Sequence, residues 1–206
     1  MIPKIIHQIY LGFDGPVEDK PTFIKSIKSI KEIMPDWEYK IWSEKDIKTL
    51  IYNRMPNFLP FYENLKHQIQ KVDIGRYVIL LYEGGFYMDM DIIVKKRFDD
   101  LLNNKLLFYE YNKNNRHFEI DFIGSEKNNN FWIQIINQSI IDYKMKLKIP
   151  VYNNWKARFV MQTTGPYFFD RTIKKINPIY TKMNIIQSGE SEGDYAFNYR
   201  THSWGQ

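Results

Sequence analysis

The sequence predicts an α/β fold with a mostly parallel central sheet flanked by helices, and three observations carry that expectation. Short apolar runs alternate with amphipathic helical stretches along the chain. A double glycine separates the longest helical stretch from the apolar run "GGFYMDMDIIV" (84–94). The 206 residues are 44% hydrophobic and 26% charged, with no internal repeat and no long low-complexity linker, so one domain over 1–206 is expected.

The elements follow in order. "KIIHQIY" (4–10) reads as a first strand, and Gly12, Gly15, Pro16 and Pro21 then mark a loop. Phe23, Ile27, Ile30 and Met34 recur at helical spacing, and Pro35 stops that helix. "WEYKIW" (37–42) alternates as a second strand, and Ser43 is placed to cap the helix after it. The spacing predicts one long helix from Asn64 to Glu83, with Leu65, Ile69, Val72, Ile79 and Leu80 on its buried side. A strand through 84–94 comes next, with further strands at "LLFYEY", "IDFIG" and "NIIQ" and a helix over 130–147. Gly165 and Pro166 in "TTGPYFF" have an ordinary turn reading.

Composition narrows the function classes. There is no cysteine, which excludes disulfides and zinc–thiolate sites. The net charge of +5 suits anionic ligands, but the basic residues are dispersed, so no nucleic-acid partner is expected. No stretch has the form of a signal peptide or a transmembrane segment, and the reading is therefore cytoplasmic.

The chemistry concentrates at Asp89 and Asp91, two acids one residue apart in an apolar run. If both keep strand geometry, their carboxylates share one side. Two unit charges at ~4 Å in a medium of effective dielectric ~20 repel by roughly 4 kcal/mol. A hard divalent cation with oxygen ligands, magnesium or manganese, relieves that repulsion and keeps positions open for phosphate oxygens. On a helix, Asp73, Arg76 and Tyr77 fall on one face. An Asp–Arg pair there can hold sugar hydroxyls, one accepting and the other donating in a fixed fork. A surface ion pair explains the same spacing.

"IPKIIHQIYLG", "VDIGRYVILLYEGGFYMDMDIIV" and the closing "HSW" together resemble the sugar transferases with a DXD region, glycosyltransferase family 32. That family includes yeast-type mannosyltransferases and capsule-building enzymes of polysaccharide biosynthesis, with clostridial glucosylating toxins as distant relatives. The resemblance implies a GT-A type fold and transfer of a hexose from a nucleotide-diphosphate sugar with retention. A UDP-sugar is the first choice of donor and GDP-mannose the second; a glycan, a lipid-linked sugar or a protein is the acceptor. It places Asp89 and Asp91 on the metal-holding DXD positions, and Asp73, Arg76 and Tyr77 on the positions that hold the donor sugar. It places Gln8, Tyr10 and Leu11 at the nucleotide pocket, where Tyr10 could stack on the base. It makes His202 a further metal ligand, which suits Mn2+ better than Mg2+, and Trp204 a cover for the diphosphate. Asp194 is a possible acceptor-side carboxylate.

No carboxylate stands out as a nucleophile, so a front-face route is expected, in which the leaving phosphate helps to deprotonate the acceptor. Two other readings stay open. One is a non-catalytic nucleotide-sugar or carbohydrate-binding module, which would share every motif. The other is an Asp-x-Asp phosphohydrolase, for which the pair comes late in the chain and Ile93 stands where Thr or Val is wanted.

Overall fold

A computed structural model describes residues 1–12, 15–111, 117–183, 186–188 and 195–199. Its strands are β1 (Ile5–Ile9), β2 (Glu38–Trp42), β3 (Gly85–Met88), β4 (Ile92–Val94), β5 (Leu106–Tyr111), β6 (His117–Phe118), β7 (Phe122–Ser125), β8 (Thr181–Met183), β9 (Ile186–Ser188) and β10 (Ala196–Asn198). The main sheet has the order β2-β1-β3-β7-β5-β6, with β8 also on β5. β2, β1, β3, β5 and β8 run in one direction, and β7 and β6 run against them. The sheet is therefore mostly parallel, as expected.

Helices cover both faces. α1 (Pro21–Ile33) lies on one side. On the other are α2 (Glu44–Arg54), α3 (Leu59–Glu63), α4 (Gln68–Tyr82), α5 (Phe131–Leu147), α6 (Pro150–Asn153), α7 (Lys156–Thr163) and α8 (Pro166–Ile176). The strands alternate as a sheet buried on both faces must. Ile6, Phe86, Met88, Leu107, Tyr109 and Phe122 enter the core beneath α1. Ile9, Tyr87, Leu106, Phe108 and Ile123 enter the core beneath α4. α4 is apolar nearly all round and is buried from Val72 to Leu81, because the sheet, α2 and α5 enclose it.

Two expectations change. The helix expected from Asn64 to Glu83 is cut short: only α4, Gln68–Tyr82, is helical in that range, and Asn64 caps the preceding α3. The Asn64 side chain bonds back to the Pro60 carbonyl and closes α3. The strand expected through 84–94 is broken into β3 and β4. The junction before β3 is as expected and tighter than a helix cap requires. Gly84 and Gly85 both have positive φ, and a Cβ on Gly85 would stand 2.6 Å from the Ile5 carbonyl oxygen. That close approach lets β3 pair with β1.

β4 leaves the main sheet and pairs antiparallel with β10, which pairs with β9. Among the described residues, no helix is long and apolar enough to cross a membrane.

Candidate functional site

β3 ends at Met88, and the paired acids lie on a turn instead of a strand. The Ile92 amide donates to the Asp89 carbonyl at 3.2 Å, closing the turn that contains Asp91. Strand periodicity therefore stops before it reaches Asp91. Asp89 still continues the β3–β7 ladder, its amide donating to the Asp121 carbonyl at 2.8 Å. The turn is braced from β1 and α1. Gln8 donates to the Asp89 carbonyl at 3.1 Å and to Ser26 at 2.9 Å, and it accepts from the Tyr39 hydroxyl at 2.6 Å. Ser26 in turn donates to the Ile92 carbonyl. Gln8 is fully buried, so the structure gives it the role of a brace.

Asp89 faces α4, on the same side of the strand as Tyr87. One carboxylate oxygen, Oδ1, accepts from the Tyr87 hydroxyl at 2.6 Å and from Arg76 Nη2 at 3.3 Å. The side chain is 35% exposed. Burial of the carboxyl, with Asp91 beside it, pushes the Asp89 pKa up to about 6 against the pull of Arg76.

Arg76 is the hub. Its guanidinium is 3% exposed and lies over the Tyr87 ring at 4.6 Å. Nη1 donates to the Ile120 carbonyl at 2.7 Å, and Nη2 lies 3.4 Å from Asp73 Oδ1. Nε is buried without a hydrogen-bond partner among the described residues. Burial works against the Arg76 charge, but Tyr87, Asp89, Asp73 and Tyr77 outweigh it and raise its pKa. Asp73, also buried, is pushed up by desolvation against the opposing pull of Arg76 and Thr164.

Asp73 and Tyr77, four residues apart on α4, hold the turn between α7 and α8. The Thr164 hydroxyl donates to Asp73 Oδ2 at 2.8 Å, and the Tyr77 hydroxyl donates to the Thr164 carbonyl at 2.7 Å. The Tyr77 ring stacks on Phe169 and Trp132 in the core. The Asp–Arg pair is thus no surface ion pair; it is a buried element joining α4 to the acidic turn.

Three participants lack a signal in the sequence. β6 and β7 are halves of one strand antiparallel to β5: Leu107 pairs with Gly124, and Glu110 pairs with Phe118. Three steps along β5 thus face six on its partner, and the surplus residues bulge at 119–121. The bulge aims the Ile120 carbonyl at Arg76 and buries Asp121, whose carboxylate accepts from the Tyr109 hydroxyl and the Asn198 amide. Asp121, Asn198 and Thr164 each meet partners distant in the chain, so local pattern does not mark them. Pro166 at the first position of α8 is the one local sign that a helix starts beside Thr164.

The remaining expectations divide. Tyr10 and Leu11 are half-exposed just past β1, with the Tyr10 hydroxyl donating to the Gly15 carbonyl and the ring edge-on to Phe23. His7 is a core residue: its Nε2–H donates to the Gly84 carbonyl and its Nδ1 accepts from the Trp42 indole. His202, Trp204 and Asp194 lie outside the described residues. The chain is nonetheless fastened to the turn just before His202 and Trp204, the Tyr199 amide donating to the Asp91 carbonyl at 3.1 Å. Among the described residues no three His, Cys, Asp or Glu side chains form a ready metal cage. Two carboxylates beside an open edge are the donor set of a hard cation that shares its shell with phosphate oxygens.

The sequence profile of glycosyltransferase sugar-binding regions containing the DXD motif matches residues 21–108. An uncharacterized glycosyltransferase of Acanthamoeba polyphaga mimivirus is 30% identical over 89% of this chain and 68% of its own. Two mannosyl phosphorylinositol ceramide synthases of Saccharomyces cerevisiae are 30% and 28% identical over 82% and 99% of this chain. The chain spans only 41% and 49% of those two proteins. Among solved structures, the PaToxG glycosyltransferase superposes with a TM-score of 0.64 at 21% identity, covering 85% of this chain and 70% of its own. The UDP-bound glycosyltransferase domain of the YGT toxin does so at 0.56 and 12%, covering 88% and 79%. The fold is the GT-A type of these neighbours.

Proposed function

Because this chain belongs to the family of glycosyltransferase sugar-binding regions containing the DXD motif, we propose that it transfers a hexose from a nucleotide-diphosphate sugar, with a divalent cation and with retention. The observation that carries the reading is the Asp89 carboxylate, one oxygen committed inward to Tyr87 and Arg76 with the acidic Asp91 two residues on. Such a corner holds excess negative charge at the open end of a sheet, where α/β folds take nucleotide ligands.

Asp91 and the outward side of Asp89 would hold the cation, with His202 as a further ligand. Mn2+ fits a set that includes a histidine, and Mg2+ the carboxylates alone. When bound, the cation neutralises charge on the departing diphosphate. The chain's own residues do the rest. Arg76 keeps Asp89 ionised and oriented. Asp73 and Tyr77 position the α7–α8 turn against α4. Tyr10 and Leu11 lie where a base can pack, and Trp204 is assigned to the diphosphate. Asp73 and Asp121 have both carboxylate oxygens engaged by protein groups. That supports a front-face route over a carboxylate nucleophile.

The two Saccharomyces cerevisiae relatives are named as mannosyl phosphorylinositol ceramide synthases. GDP-mannose is therefore the first donor to try, ahead of the UDP-sugars that the sequence alone put first. The acceptor is a glycan, a lipid-linked sugar or a protein. Thermal shift with GDP-mannose and UDP-hexoses, with and without Mn2+, tests the donor: one nucleotide sugar should stabilise the protein only with the metal. Asp91→Asn should abolish metal-dependent hydrolysis of that donor, and full turnover by the variant would remove the mechanism.

A further inference from the structure

One face of the molecule is built unlike the rest. Among the described residues, thirteen large hydrophobic side chains are exposed, and eight of them fall between Ile133 and Tyr167. Ile133, Ile141 and Met145 form a stripe along the outer side of α5, where a globular protein puts polar residues. Leu147, Ile149, Val151 and Trp155 continue it through α6 to the start of α7, Trp155 being 62% exposed. The charge on this stretch is one-sided. From Tyr143 to Phe169 there is no Asp or Glu, while Lys144, Lys146, Lys148, Lys156 and Arg158 are all basic. The Arg158 guanidinium lies over the Tyr152 ring at 5.0 Å.

Exposed aliphatic residues interleaved with lysines and a tryptophan are the make-up of a surface that rests in a bilayer interface. The apolar side chains enter the acyl boundary, the tryptophan sits at headgroup level, and the lysine stems reach back to anionic phosphates. Lys146 is mostly buried and paired with Asp142 at 3.1 Å, and a protein partner would need acidic residues of its own to meet the exposed Lys144, Lys148, Lys156 and Arg158. A second copy of this same basic face would repel it.

We propose that the face formed by the end of α5, α6 and the start of α7 docks on an anionic phospholipid membrane. The consequence for the site is geometric. α7 has eight residues, about 12 Å at the helical rise, and it ends beside Thr164, which Asp73 and Tyr77 clasp. A membrane on this face lies one short helix from that clasp. Between them an open pocket of about 390 Å³ is lined by Trp155, Ala157, Arg158, Met161, Gln162 and Tyr167.

The test is co-sedimentation of the full chain with vesicles of phosphatidylcholine alone or with about 30% phosphatidylglycerol, with no donor present. The anionic vesicles should bind at least about tenfold tighter than neutral ones, and raising salt to ~0.5 M should remove most of that gain. Lys144→Glu with Lys148→Glu, and separately Trp155→Ser, should each cut binding about tenfold, with melting temperatures held. Lys25→Glu with Lys28→Glu on exposed α1 makes the same change in net charge and should leave binding intact. Equal binding to both vesicles, no binding, or equal loss in the α1 variant overturns the proposal. So does a dimer in light scattering that Trp155→Ser dissolves, which would make the face an interface between copies. Vesicle binding is read without sugar chemistry, so its failure leaves the transferase reading standing, and the reverse holds too.

Discussion

Two arginines in this molecule each stand between two aspartates, and they differ in almost every other respect. Arg97 lies on the surface, about two-fifths exposed, and its contacts are close to ideal: both Nη atoms reach Asp36 at 2.7 and 2.9 Å, and Nε reaches Asp99 at 2.7 Å. Arg76 is buried, and its aspartates stand off at 3.3 and 3.4 Å, with Nε left over. Good geometry in water is worth little, because solvent already satisfies both ions. Poorer geometry in the interior matters more, because removing one partner strands the others away from water. The looser, incomplete set is also the one that borders the acidic turn. A polar cluster left under-satisfied by its own chain is suited to a ligand that brings further charge.

The comparison can be broken by paired substitutions. The largest effect is expected for Arg76→Met. It leaves Asp73, Asp89 and the Ile120 carbonyl without their cation and should cost about 3–5 kcal/mol, read as a fall in melting temperature on the order of 10 °C. Asp91→Asn should sharpen the contrast by separating function from stability. Transfer should drop by about 100-fold or more, while the melting temperature stays or rises slightly as the repulsion on Asp89 is relieved. Thr164→Val keeps the shape but removes the hydroxyl bond to Asp73, for about 1–2 kcal/mol in denaturant unfolding. Arg97→Met should be the mildest, below ~1 kcal/mol despite its short contacts. Equal losses for the two arginine variants would erase the distinction between them.

Acidity gives a further handle. Asp89 has its pKa raised to about 6, so its contribution to stability is present at low pH and is lost as pH rises through 6. Buried His7 has its pKa lowered to about 4, chiefly by desolvation, so its contribution is present above 6.5 and is lost as pH falls through 4. The two slopes oppose each other between pH 4 and 6. Melting temperature in Asp89→Asn should therefore climb more steeply with pH over that window than in the parent protein. On the proposed mechanism the catalytic consequence has the other sign: metal and donor binding would need the carboxylate and should strengthen as pH rises through 6.

What was legible in the sequence was local. The strands at 4–10 and 37–42, the Ser43 cap and the glycine pair after α4 follow from periodicity and backbone freedom. Asp73, Arg76 and Tyr77 could be placed on one helical face because helical spacing reaches no further than four residues. Local rules misjudged two joints. Asn64 looked like the start of a helix and is the end of another. Asp91 looked like a strand residue, but the Ile92 amide donates to the Asp89 carbonyl and closes a turn around it. The bulge at 119–121 and the partners Asp121, Asn198 and Thr164 were out of reach. Thr164 meets Asp73 across 91 positions of chain, and no short window contains both.

The Gln8 amide touches Ser26 on α1, Tyr39 on β2 and the carbonyl that opens the acidic turn, and Ser26 secures the carbonyl that closes it. A corner tied at both ends has little freedom left to surrender on ligand capture. On the proposed reading, association there would resemble a key meeting a finished lock, with its speed governed by encounter and desolvation instead of by loop folding.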